Sequence, residues 1–227
     1  MSEHQPDPLA VFARGTHRFL GLELLVQPGA LIPRAETELL GGEAVKLLKQ
    51  LDHPPVVIDV CCGSGNLGCA VAFHVETATV FAADLTASCA ELTRKNVEHL
   101  KLGARMQVFQ GDLFEPLKAS LPVGGVDLIL CNPPYISTGR LEADRAPLLE
   151  HEPREAFDGG PYGLAIHQRV IKEGFGLLKA GGHLLFEFGL GQERQLKALF
   201  DRSRAYRDVR FVNNADGAAR VVVAVKP

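Results

Sequence analysis

Val56-Val57-Ile58-Asp59-Val60-Cys61-Cys62-Gly63-Ser64-Gly65-Asn66-Leu67-Gly68 joins a short apolar run to a glycine-rich turn, and an apolar stretch from Leu67 to Phe73 follows. The run reads as a buried strand, the glycines as a sharp turn, and the stretch after them as the start of a helix. Such a unit opens a nucleotide-binding α/β domain. Downstream the alternation continues, with strands at 79–83, 106–110, 126–131, 183–188, 207–212 and 220–225 and helices at 87–100, 164–178 and 192–200. Seven strands result. Continuous apolar strands such as Leu128-Ile129-Leu130 belong to a sheet covered on both faces, so the spacing predicts a Rossmann-like, mostly parallel sheet. Only Asn213 to Gly217 separates the last two strands, which predicts an antiparallel hairpin.

Upstream of the first strand, Pro33 precedes Ala35-Glu36-Thr37-Glu38, and a helix is expected to run on toward Leu51, with Gly41-Gly42 weakening its first turns. Residues 1–31 lack a sustained period and read as an N-terminal arm or lid; residues 32–227 read as the catalytic domain. A chain of 227 residues with 46% hydrophobic and 22% charged residues has room for one good core. Lys+Arg 24 against Asp+Glu 27 gives a formal charge of -3 with no basic run, which disfavours nucleic acid as a partner. No stretch has the length and apolarity of a membrane span, and the polar, proline-bearing start does not resemble a secretory leader, so a cytoplasmic protein is expected. Cys61, Cys62, Cys69, Cys89 and Cys131 form no Cys-x-x-Cys pair; they read as small core residues, with no metal site expected.

Several polar residues fall just past strand ends, at the carboxyl edge where open α/β sheets bind ligands. Asp84 lies about 20 residues after the glycine loop, where a carboxylate can accept ribose hydroxyls; it could also be a helix cap, as Asp112 could be a turn residue. Asp59 favours S-adenosylmethionine (SAM) over a dinucleotide, because a carboxylate can accept from the methionine ammonium group but would repel a pyrophosphate. Asn132-Pro133-Pro134-Tyr135 directly follows the fourth strand. Its prolines stiffen the loop, so the Asn132 side-chain oxygen and the Pro133 carbonyl can act as two fixed acceptors for a planar NH2 group, beside the flat Tyr135 ring.

With these blocks in place the chain resembles the HemK/PrmC-type glutamine N5-methyltransferases, a branch of the class I SAM-dependent methyltransferases, from about Leu31 to its end. The blocks that carry the likeness are Leu31-Ile32-Pro33-Arg34-Ala35-Glu36-Thr37-Glu38, Asp59 with Gly63-Ser64-Gly65, Asp84, Asp112-Leu113, Asn132-Pro133-Pro134-Tyr135 and Glu152 to Gly160. The resemblance implies a class I methyltransferase fold with a reversed edge strand. It also implies SAM contacts at Thr37, Asp59, Cys61, Gly63, Gly65, Asp84, Leu85, Asp112, Leu113 and Asn132. Cys61 stands where the family has its first glycine. The likeness is to a short form of the family, without the helical domain that grips a release factor.

The function expected is methyl transfer from SAM to an amide or amine nitrogen, on a protein glutamine or a small molecule, with Asn132, Pro133, Pro134 and Tyr135 as the catalytic loop. An alternative follows from the resemblance to SAM-cyclising enzymes of this fold, in which SAM's own amine attacks its γ-carbon to give azetidine-2-carboxylate and methylthioadenosine. An adenine methyltransferase of nucleic acid is disfavoured by the missing basic patch. A nicotinamide oxidoreductase is disfavoured by the lack of a Tyr-x-x-x-Lys relay, since Gly139 follows Tyr135 and Ile166 follows Tyr162 at that spacing. Glu187 interrupts an apolar strand and reads either as an edge residue or as a buried partner of an Arg or Lys.

Overall fold

The computed structural model describes residues 7–144, 149 and 152–227. The arm begins with α1 (Pro8–Arg14), whose Asp7 cap accepts from the Leu9 N–H and whose end is turned by Gly15. A two-stranded antiparallel hairpin follows, β1 (Thr16–Phe19) and β2 (Leu22–Leu25). Its Phe19, Leu22 and Leu24 are buried in the same apolar cluster as Leu40 and Leu67, so the hairpin lies on the main domain. That packing explains Gly41: a Cβ there would stand 2.4 Å from the Leu20 side chain. The helix expected from Ala35 begins as one tight turn, Ala35–Thr37, and continues as α2 (Glu38–Leu48).

The main sheet is built from β3 (Val56–Val60), β4 (Thr79–Asp84), β5 (Met106–Gln110), β6 (Val126–Cys131), β7 (Leu178–Glu187), β8 (Arg207–Asn213) and β9 (Ala219–Val225), in the order β5-β4-β3-β6-β7-β9-β8. All pairings from β5 across to β7 are parallel, and β9 is antiparallel to both of its neighbours. The reversed strand, expected at the edge, therefore sits one place inside it. The short turn after β8 sends the chain back toward β7 and leaves β8 outermost.

Neighbouring residues along each strand face opposite sides. Val57, Val80, Leu128 and Leu185 pack toward α2, α3 (Asn66–His74) and α4 (Ala87–His99), while Ile58, Phe81, Ile129 and Phe186 pack toward α6 (Ala165–Gly174) and α7 (Glu193–Ser203). Both faces are covered, which is why the strands are apolar throughout. α5 (Thr138–Asp144) stands outside these layers, in the connection after β6. The chain order reverses direction between β3 and β6, so the loops after these strands flank the crevice where such sheets bind ligands. No described helix is long and apolar enough to cross a membrane.

Candidate functional site

The glycine loop between β3 and α3 is held from below and from the side. Asp59 is fully buried; its Oδ2 accepts the Gly68 N–H at 2.8 Å, and its Oδ1 has no hydrogen-bond partner. Burial, only partly offset by the Gly68 bond, pushes its carboxyl up to about 7. Gly65 takes a φ of +78°, and a Cβ on it would meet the Thr93 methyl at 2.6 Å, so the turn admits no side chain there. Asp59 and Gly65 line neither cavity at this edge. Asp59 meets α3 through the Gly68 N–H, and Gly65 faces Thr93 of α4. Cys61 takes a left-handed backbone, at φ +57°, the conformation that favours glycine.

Above the loop lies a narrow chamber of about 120 Å³. Thr37, Cys61, Gly63, Asp84, Leu85, Asp112, Leu113, Asn132 and Pro134 all line it. A Cβ built on Gly63 would meet nothing within 4 Å, so the space over the loop is open to a ligand. Asp84 Oδ2 accepts the Gly63 N–H at 2.9 Å, and Oδ1 accepts from the Thr86 N–H and hydroxyl at 3.0 and 3.1 Å. The cap of α4 is Thr86 and not Asp84. A carboxylate has about four lone-pair sites, so Asp84 keeps room for a hydroxyl donor. Asp112 is drawn outward by Arg169 at 2.9 Å, leaving Leu113 and the exposed Leu85 as the apolar wall. The donor set fits SAM in chemistry: an acidic acceptor for a ribose, apolar walls for an adenine, and backbone N–H groups of a glycine loop. In volume the chamber falls below the ~300 Å³ at which small-molecule pockets begin.

Leu31, Pro33 and Arg34 from one segment and Pro153, Glu155 and Ala156 from another close the chamber. Arg34 and Glu152 tie these segments by a buried ion pair, and Glu152 also accepts the Ile32 N–H at 2.9 Å. Both residues sit in blocks that the sequence marks, although their pairing carries no sequence signal. His151, in the same block, lies outside the described residues.

Asn132 stands in the wall shared with a second, wide chamber of about 920 Å³, which Pro133 and Tyr135 also line. Asn132 Nδ2 donates to Thr37 Oγ at 3.2 Å, and Thr37 donates in turn to Glu187 Oε2 at 2.7 Å. Glu187, at the end of β7, is buried; Tyr135 donates to its Oε1 at 3.2 Å, and Arg220 Nη2 lies 3.4 Å from the same oxygen. Burial raises the Glu187 carboxyl, against the hydrogen bond from Thr37 and the charge of Arg220. Gln192 holds the loop from beyond, donating to the Tyr135 carbonyl at 2.9 Å, and Ile136 donates to the Phe157 carbonyl at 2.9 Å. Glu187 is thus the buried Arg partner of the two readings left open, and the block from Glu152 to Gly160 does reach the site. Arg220 and Gln192 were not legible, since nothing in a single sequence marks which residues of β9 or of the turn before α7 meet the loop.

Residues 42–151 match the family model described as the methyltransferase small domain. The chain is 36% identical over 208 residues to the release factor glutamine methyltransferase of Geobacter sulfurreducens, covering 92% of this chain and 70% of that protein. With the release factor glutamine methyltransferase of Moorella thermoacetica it shares 33% identity over 217 residues, covering 95% and 74%. Among solved structures, the protein-(glutamine-N5) methyltransferase (release factor-specific) of Alicyclobacillus acidocaldarius aligns with a TM-score of 0.52 at 26% identity, covering 88% of this chain and 98% of that one. A methyltransferase from Pyrococcus furiosus, at 17% identity, covering 91% of this chain and 89% of its own length with a TM-score of 0.61, shares the fold. These relatives lend the SAM-cyclising alternative no support.

Proposed function

We propose the following for this chain, which belongs to the family of release factor glutamine methyltransferases and is a SAM-dependent transferase: it methylates the side-chain amide nitrogen of a glutamine carried by a protein. The carrying observation is the position of Asn132, on the wall between a narrow chamber and a wide one, with no protein donor among the described residues for its Oδ1.

Bound in the narrow chamber, SAM supplies an electrophilic methyl group on a sulfonium. Asp84, Leu85, Asp112, Leu113, Thr37, Gly63 and the Cys61 backbone are proposed to hold it, with Asp59 and Gly65 keeping the loop in shape. Asn132 Oδ1 and the Pro133 carbonyl accept the two N–H hydrogens of the incoming amide. That fixes its plane and its nitrogen, and it stabilises the positive charge that grows there. The proton given up after transfer leaves through the wide chamber. Arm residues 1–31 and catalytic domain 32–227 divide the work: the end of the arm, at Leu31, closes over the cofactor, and the domain presents the acceptor loop. Tyr162 and Leu190 stand exposed among the residues of the wide chamber, an apolar rim suited to a polypeptide loop.

Incubation with methyl-labelled SAM and a release factor tests this. A peptide mass increased by one methyl group, localised to a glutamine, is the expected result. Binding of SAM with no labelled glutamine would overturn it, and methylthioadenosine formed from SAM alone would redirect the site to cyclisation.

A further inference from the structure

We propose that Glu187 is a positioning residue that fixes which face of the Asn132 amide meets the substrate, acting through the Thr37 hydroxyl, while it holds Tyr135 at the other end of the same loop. This rests on the reading of Asn132 as the acceptor of the substrate amide.

The supply of protons along this chain of groups fixes the orientation. An ionised carboxylate can only accept, and a threonine hydroxyl has one hydrogen to give. Glu187 Oε2 takes that hydrogen at 2.7 Å, so toward Asn132 the Thr37 oxygen can only accept. Asn132 must therefore turn its NH2 to Thr37, as it does at 3.2 Å, and its oxygen faces the other way, on the wall between the chambers. With the amide reversed, an NH2 would confront the substrate's NH2, donor against donor. Arg220 favours the charged carboxylate against the burial that raises it: its Nη2 is 3.4 Å from Glu187 Oε1 and donates to the Tyr135 oxygen at 3.2 Å, while Tyr135 gives its own hydrogen to Oε1. Glu36 is the other carboxylate whose charge Glu187 feels. Asn132 and Tyr135, the two ends of the tetrapeptide, are thus oriented by one group behind them.

Glu187→Gln conserves shape and reverses this order. Arg220 can only donate, so the Gln oxygen must face it, and the Gln NH2 then points at Thr37. Thr37 has to accept, its hydrogen swings toward Asn132, and the Asn132 amide turns over.

The test compares wild type, E187Q, N132A, the E187Q/N132A double variant, T37V and T37S. E187Q is expected to lower kcat about a hundredfold, the loss typical of one misdirected oriented dipole, while KM for the release factor and the Kd for SAM change little. On the N132A background the same substitution should cost less than about twofold, because the two residues act as one unit. The readout independent of activity is the side-chain amide resonance pair of Asn132, identified by its loss in N132A. It should move in E187Q and T37V and return in T37S, which restores the hydroxyl. An unmoved pair in E187Q, or an equal loss of kcat with and without Asn132, overturns the proposal. If E187Q does not fold, the Thr37 pair decides: T37V and T37S giving the same resonance position overturns it. Moved resonances in a protein that methylates no glutamine would instead overturn the function proposed above and leave the orientation of Asn132 standing.

Discussion

The narrow chamber and the wide one share Leu31, Arg34, Asn132 and Ala156 in their walls and differ chiefly in size. One holds about 120 Å³ between a glycine loop and two straps joined by a buried ion pair; the other holds about 920 Å³. A small enclosure whose polar groups are mostly engaged suits one small ligand. A wide bay suits a partner that brings its own surface.

Cutting the strap should give the largest effect. Arg34→Met leaves Glu152 buried without its partner, which costs about 3–5 kcal/mol, read as a shift in the urea midpoint; Arg34→Met combined with Glu152→Met should recover much of it. If R34M leaves stability unchanged, the narrow chamber is not held shut by this pair.

At the shared wall, Asn132→Ala should slow methyl transfer by about 100- to 1000-fold, the usual loss when one oriented group at the reacting atom is removed. SAM affinity measured by calorimetry should change far less; an equal loss of both would merge the two chambers into one functional unit. Asp84→Ala should act on the narrow chamber alone. It removes a charged acceptor worth about 1.5–3 kcal/mol, so SAM binding weakens roughly 10- to 100-fold, with KM for the protein substrate unmoved.

Titration probes the support under the loop. The Asp59 carboxyl is raised from 3.8 to about 7 by burial, so the folded state binds more protons than the unfolded one in that window and stability falls as pH rises through it. His167, buried and held by the Glu187 carbonyl at 3.0 Å, is lowered from 6.5 to about 4, so its contribution is lost as pH falls from 6.5 toward 4. Between about 4 and 6.5 the two slopes oppose one another. Asp59→Asn should expose the His167 slope, about one proton or 1.4 kcal/mol per pH unit, in denaturation curves taken across that range; an unchanged pH profile would mean that Asp59 does not titrate there. The smallest effect belongs to Cys61→Gly. Relieving a left-handed residue gains roughly 1 kcal/mol, less the added freedom of the unfolded chain, and the missing thiol widens the narrow chamber, so thermal stability should hold or rise slightly while SAM binds more tightly.

The two chambers were not equally legible. Strand β3, the glycine loop and the carboxylate at Asp84 follow from local spacing, because backbone turns and strand periods are written in adjacent residues. Asn132-Pro133-Pro134-Tyr135 is legible for the same reason. What orients it is not: Thr37, Glu187 and Arg220 come from a turn before the sheet, from β7 and from β9, and only the sheet order β6-β7-β9 brings them together. Nor is it legible which side of the sheet the carboxylate of Asp59 faces. The packing of α3 on β3 decides which, and no local pattern states it.

The placement of β9 has a consequence for how the protein is made. Among the described residues β8 pairs with β9 alone, and Arg220, on β9 between β7 and β8, lies 3.4 Å from Glu187. In chain order Arg220 is the last of the described groups that brace Tyr135, so a polypeptide grown only as far as β8 lacks that contact.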